Sequence, residues 1–293
     1  MENAFSRHTL RLPAGSLPPD HADVGLDVGG TLAKLAYFSP ATEAGTDDFE
    51  LRLVTFDAGD IDGYLSYIKQ HVDRPDIARP LTMAATGVGS LKYKEAIHNA
   101  LHVPVTADDR ELEHAARALD VLWQCLPPDQ ILYPDSDTTG LTFETSLELS
   151  GLLPCILVNL GSAMTIVKVD YDKVSKSLTK AVVVGGSAQG RQFSEQDVAS
   201  SLLFSTTDHL AQTTYLVARL SRVQHAVFCG FFAGQNGVIR RQLRDKLAQC
   251  CYFLKDEVRP VFVKNEGYLG AIGALVAGVN PTELGLPNSD LNV

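Results

Sequence analysis

Asp27-Val28-Gly29-Gly30-Thr31, followed by Lys34, is the first run in this chain whose residue types and spacing could do chemistry. A tight turn carrying two glycines between strands lets backbone N–H groups come close to phosphate oxygens, because no Cβ intervenes. A carboxylate at the end of the preceding strand can order Mg²⁺ or its waters, and Lys34 can neutralise phosphate charge. An ordinary hairpin has the same composition, so this run alone leaves both readings open. A second run, Val158-Asn159-Leu160-Gly161-Ser162-Ala163-Met164-Thr165, repeats the pattern in the other half. Two such turns in one chain favour a phosphate-bearing ligand over two unrelated hairpins.

The elements that must position these turns follow from periodicity. Val24–Asp27, the glycine turn and Leu35–Phe38 read as strand, turn, strand, and Leu51–Phe56 is a third strand. An amphipathic stretch around Tyr64 to Val72 follows, then a strand over Leu81–Ala85, a turn at Thr86-Gly87-Val88-Gly89, and a helix from Tyr93 to Leu101. Leu112, Ala115, Ala116, Leu119 and Leu122 carry helical spacing from Glu111 onward, closed by Pro127 and Pro128. The second half opens alike: strands over Ile156–Asn159, Thr165–Val169 and Ala181–Val184, then a helix from Ser194 to about Leu220 capped by Ser194-Glu195-Gln196-Asp197. Val227–Gly230 and Pro260–Val263 read as strands, and Val238–Leu247 and Gly267–Ala277 as helices. This is a duplicated α/β arrangement with a ligand cleft expected between its lobes. The expected divisions are a loose leader over 1–21, an N-terminal lobe over 22–150, a C-terminal lobe over 151–280, and a tail over 281–293. The Asp-, Ser-, Thr- and Gly-rich stretch from Pro134 to about Gly151 marks the boundary between lobes.

Composition narrows the partners. With 25 Lys+Arg against 35 Asp+Glu, the net charge is -10. An acidic protein repels phosphate backbones and anionic lipid, so neither nucleic acid nor a membrane is expected as partner. A phosphate ligand must then be held by local amides and a few placed cations. No apolar run approaches the ~20 residues of a membrane span, and the N-terminus lacks the compact apolar run of a secretory signal. Cys125, Cys155, Cys229, Cys250 and Cys251 are odd in number and lack C-x-x-C spacing. They read as reduced core thiols of a cytoplasmic protein. No C-x-x-C pair accompanies the histidines, so no structural metal is expected.

Four ordered motifs carry a resemblance. Gly25-Leu26-Asp27-Val28-Gly29-Gly30-Thr31-Leu32-Ala33-Lys34 resembles the opening motif of the type II (eukaryotic-style) pantothenate kinases. Ala85-Thr86-Gly87-Val88-Gly89-Ser90-Leu91-Lys92-Tyr93 is similar to that family's T-G-G-G-x-x-K-[FY] turn. Leu157-Val158-Asn159-Leu160-Gly161-Ser162 and Asn265-Glu266-Gly267-Tyr268-Leu269-Gly270-Ala271-Ile272-Gly273-Ala274 resemble its later landmarks. Ser194–Leu203 and Gly230-Phe231-Phe232 look nearest to the animal pantothenate kinase-four branch, whose kinase-like domain is regarded as a pseudokinase. The resemblance implies an actin/hexokinase-like (ribonuclease H-like) α/β fold, in which the turns at Gly29 and Gly161 grip the phosphates of ATP. Its implied ligands are pantothenate, ATP and Mg²⁺, with acyl-CoA as a further ligand and a homodimer as the assembly. Asp27, Gly29, Gly30, Thr31 and Lys34 would face the phosphates, with Asp27 reaching Mg²⁺ through water and Gly161 in the second turn. Ser162 and Thr165 would line the pantothenate or acyl-CoA pocket, and Gly230 would lie near the adenosine.

The family's general base lies in a D-E-L-D-like run, matched here by Arg110-Glu111-Leu112-Glu113. One register puts Glu111 at the base and another puts Arg110 there, which cannot accept a proton. A solvated helix carboxylate is the bland alternative for Glu111. An arginine that the family places before its second glycine-rich turn falls at Val182. That turn, Gly185-Gly186-Ser187-Ala188-Gln189-Gly190-Arg191, lacks a run of three glycines. Val88 replaces a family glycine, and several dozen residues that the family carries after the second turn are missing from this chain. The expectation is therefore weak activity or a ligand-binding pseudokinase, with a sugar kinase of the same superfamily a more distant reading. Tyr268 reads as a packing aromatic.

Overall fold

The computed structural model describes residues 6–13, 21–40, 48–72, 81–133, 152–160, 164–170, 174–180, 195–230, 232, 236–255 and 257–277. The chain divides into two compact units, Met1–Leu126 with Tyr268–Val293, and Pro127–Gly267.

The first unit is built on a sheet of six strands: β1 (Ser6–Leu12), β2 (Val24–Val28), β3 (Leu32–Pro40), β4 (Phe49–Asp57), β5 (Met83–Thr86) and β6 (Val105–Ala107). Their order is β1-β4-β3-β2-β5-β6. β2, β3 and β4 form an antiparallel meander, while β5 and β6 run parallel to β2. All five residues of β2 are buried, as suits a central strand covered on both faces. Helices α1 (Ile61–His71) and α2 (Val88–Leu101) pack with this sheet around Phe56, Tyr64, Ile68, Met83 and Ile97. Asp60 caps α1 by accepting from the Gly63 N–H at 3.0 Å. α3 (Glu111–Cys125) packs against the C-terminal helix α7 (Leu269–Ala277), which also lies on β2 and β5.

The second unit holds a five-stranded sheet: β7 (Cys155–Leu160), β8 (Met164–Val169), β9 (Val174–Lys180), β10 (His225–Cys229) and β11 (Arg259–Phe262), ordered β11-β10-β7-β8-β9. Its helices are α4 (Pro128–Ile131), α5 (Glu195–Ser221) and α6 (Gly237–Leu254). Again three strands form an antiparallel meander and two run parallel to its first strand. Apart from β1, the two sheets share the order third, second, first, fourth, fifth. The duplication expected from the two glycine turns is thus present in the topology.

Three features differ from the sequence reading. The leader contributes β1, whose alternating Leu10 and Leu12 pair along β4 from Ser6↔Thr55 to Leu12↔Phe49; its short alternation sits beside prolines that mask it. Val174–Lys180 forms β9, whose polar residues lack a strand-like apolar pattern, whereas the strand expected over Ala181–Val184 lies outside the described residues. The terminal helix belongs to the first unit rather than to the second half of the chain. Leu269 through Val276 are all buried, and a helix apolar on every side must be enclosed. The expected boundary from Pro134 to Gly151 also lies outside the described residues. Among the described residues no helix is long and apolar enough to cross a membrane.

Candidate active site

In the first unit the parallel strands β2, β5 and β6 end side by side, and ligands of open α/β sheets gather at such carboxyl ends. Asp27, next to last in β2, lies opposite Thr86 of β5, and Ala85 pairs with Ala107 of β6, just before Asp108. Across the hairpin Asp27 faces Lys34, whose Nζ lies 3.6 Å from Asp27 Oδ2. Asp27 is buried, so its charge is only partly compensated. Burial pushes its carboxyl up to about 6, against the pull of Lys34, and the charge of Glu111 adds to the rise. Glu111, the first residue of α3, is therefore close enough to Asp27 to act on it electrostatically.

The β2–β3 turn is closed by the Gly29 N–H donating to Leu32 O at 2.9 Å. The amides it can present outward are those of Gly30 and Thr31, both exposed. A Cβ on Gly30 would meet no protein atom within 4 Å, so the fold itself does not require this glycine. The bare edge is where a phosphate could approach. Among the described residues no three His, Cys, Asp or Glu side chains come together as a metal site. Asp27 as a single carboxylate fits an Mg²⁺ held largely by waters and nucleotide oxygens.

Glycines shape the wall behind Asp27. Gly87, at φ +87°, begins the turn into α2, and a Cβ there would lie 2.7 Å from both Asp27 Oδ1 and Val28 O. Gly270 on α7 approaches from another side, where a Cβ would lie 2.7 Å from Asp27 Oδ2. One helical turn on, a Cβ on Gly273 would collide with His114 O of α3. α7 thus seats both Asp27 and α3 through glycines one turn apart.

The second unit repeats the corner. Asn159 near the end of β7 pairs with Cys229 of β10 and with Thr165 of β8. Gly230, at φ +91°, follows β10, and a Cβ there would lie 2.6 Å from Asn159 Oδ1. Thr165 is half-buried. Gly161, Ser162, Val182 and the Gly185–Arg191 turn lie outside the described residues.

Sequence reasoning missed the cluster that opens α3. Asp108 Oδ2 accepts from Arg110 Nε at 2.9 Å and Nη2 at 2.7 Å, and its Oδ1 accepts from the Arg110 backbone N–H at 3.1 Å. Buried His114 places Nε2 2.9 Å from the same Oδ1. Burial pushes the Asp108 carboxyl up, but the contacts with Arg110 and His114 outweigh it and leave it below the usual range. An aspartate just ahead of a helix start was the available signal. Val88 stands 79% exposed at the first position of α2. Tyr268 is buried, its hydroxyl 2.7 Å from Thr55 Oγ1 and 2.9 Å from Ser6 Oγ. None of the five cysteines forms a disulfide; Cys155 and Cys229 are buried, the others half-buried.

The Fumble family profile matches residues 23–191 and 172–277. The chain belongs to the Fumble family, which is pantothenate kinase type II-like. Its two matches overlap at 172–191, where the second glycine-rich turn lies. The chain is similar to pantothenate kinase of Schizosaccharomyces pombe, at 23% identity over 90% of this chain and 84% of that protein. Pantothenate kinase 1 of Arabidopsis thaliana is similar at 23% identity over 89% of this chain and 86% of its own length. The 4'-phosphopantetheine phosphatase of Mus musculus matches at 22% identity over 92% of this chain, which spans 43% of the mouse protein. That alignment extends over 365 positions against the 293 residues of this Fumble chain, so the mouse protein carries internal segments without counterparts here. Among solved structures, a ROK family glucokinase from Streptomyces griseus in complex with glucose and AMPPNP aligns with a TM-score of 0.50 at 12% identity, over 87% of this chain and 98% of that one. The fold is an actin/hexokinase-like α/β fold with duplicated lobes.

Proposed function

We propose that this Fumble chain is a pantothenate kinase homologue of low activity, transferring the γ-phosphoryl group of MgATP to the primary hydroxyl of pantothenate. The observation that carries this reading is the buried Asp27 at a strand end, paired with Lys34 and sensing the charge of Glu111. Lys34 and the amides of Gly30 and Thr31 would hold phosphate oxygens, and Asp27 would order the waters of Mg²⁺. The bound Mg²⁺ would supply charge neutralisation on the phosphates. Glu111 would take the hydroxyl proton as the new O–P bond forms. Gly161, Gly230, Ser162 and Thr165 keep the roles that the family resemblance implies, with acyl-CoA as a further ligand of the last two. A homodimer and a cytoplasmic location belong to the same proposal.

A second reading is a ligand-binding pseudokinase of the pantothenate kinase-four branch. Arg110, directly before Glu111, and Val182 in place of an arginine favour it. Formation of phosphopantothenate from pantothenate and MgATP separates the two readings.

A further inference from the structure

We infer that Asp108 is a positioning residue, which clasps the first turns of α3 and thereby fixes Glu111 against the strand end that carries Asp27. The inference rests on the proposed role of Glu111. One carboxylate holds three residues on two elements. Thr86 Oγ1 at the end of β5 lies 3.4 Å from Asp108 Oδ1, a weak contact. Arg110, the residue that precedes α3, donates one backbone and two side-chain hydrogen bonds to Asp108, the side-chain pair converging on Oδ2. His114, one turn into α3, lies 2.9 Å away through Nε2 and is itself buried.

Each partner sits beside the candidate chemistry. Thr86 is opposite Asp27 in the sheet register and precedes Gly87, whose backbone abuts the Asp27 carboxylate. Arg110 and His114 bracket Glu111, and the His114 N–H donates to Arg110 O at 3.0 Å, the first hydrogen bond of the helix. Behind α3, the close approach of Gly273 to His114 O prevents retreat. The clasp also gives Arg110 a fixed counter-ion: its guanidinium is drawn to Asp108, with Glu113 at 3.8 Å as a further partner. Releasing that guanidinium would free a positive charge next to Glu111.

The test combines hydrogen exchange with kinetics on the full chain, using Asp108→Ala, Asp108→Asn, His114→Leu and His114→Gln. Glutamine can present a donor near the position of Nε2, so His114→Gln is the conservative rescue. In Asp108→Ala, amide exchange from His114 to Ala116 is expected to rise by about tenfold or more, the scale of lost charge-assisted hydrogen bonds. Exchange in α1 should stay unchanged, and His114→Gln should keep protection that His114→Leu loses. Turnover should fall in Asp108→Ala and Asp108→Asn with the KM for ATP unchanged, and His114→Gln should restore what His114→Leu loses. Unchanged exchange at the start of α3 in Asp108→Ala overturns the clasp, as does unchanged turnover in both Asp108 variants of an active protein. Absence of phosphopantothenate from the wild type would instead count against the kinase reading, and the exchange data would still decide the clasp.

Discussion

Gly87 and Asp27 share one corner of the first sheet, where a side chain on the glycine would stand 2.7 Å from the carboxylate oxygen. Gly230 and Asn159 share the matching corner of the second sheet. In each case a glycine with positive φ lets the turn after the fourth strand fold over the polar residue near the end of the first. Substitutions at Gly87 and Gly30 should therefore behave differently. Gly87→Ala must strain a left-handed backbone and press on Asp27 and Val28, at a cost of about 1–3 kcal/mol. Gly30→Ala meets no protein atom, so its melting temperature should match the wild type while MgATP binding weakens. Differential scanning calorimetry with titration calorimetry checks both; wild-type affinity in Gly30→Ala would remove the phosphate role of that turn.

The buried Asp27 makes stability depend on pH. In protein free of metal and nucleotide its carboxyl rises from 3.8 unfolded to about 6 folded. The folded state then binds the proton more tightly, so this contribution is complete below about 3.8 and is lost as pH rises through about 6. The cost of ionising it at neutral pH is on the order of 3 kcal/mol. Asp27→Asn should therefore be more stable than wild type at pH 7.5, with the difference vanishing near pH 4, while nucleotide binding is lost. Urea melts at several pH values measure the difference directly. A variant less stable than wild type at pH 7.5 would show that Lys34 compensates Asp27 fully.

Gly273→Ala should destabilise the first unit, because its methyl would collide with the carbonyl of His114. Overpacking of this kind costs typically 1–3 kcal/mol. Since α3 carries Glu111, turnover should fall along with the melting temperature. Unchanged melting would mean that α3 yields easily at this contact.

Much of this was legible in the sequence because local pattern and topology agree. Asp27 and Lys34 lie on adjacent strands joined by the turn of Gly29 and Gly30, so a hairpin reading was enough to bring them together. The helix from Glu111 was visible in Leu112, Ala115, Ala116, Leu119 and Leu122. The residues that hold it in place were not. Asp108 meets His114 across a helix start, and Gly270 and Gly273 meet Asp27 and His114 from a helix far along the chain. A landmark such as Gly267–Ala274 shows that glycines recur, but only the packing explains which neighbour each one admits. β1 was hidden for a related reason, since an edge strand's pairing with β4 is a long-range choice that its own residues barely signal.

Glu111 is proposed as a surviving base in an impaired pantothenate kinase. A coupled assay with pantothenate and MgATP, comparing wild type with Glu111→Gln, tests it most directly. Ordinary kinases turn over at about 1–100 s⁻¹, and a general base contributes about 10²–10⁴ in rate. Wild-type turnover is expected below that range, falling to background in Glu111→Gln. Wild-type turnover within the ordinary range, or equal rates in the two proteins, would contradict it.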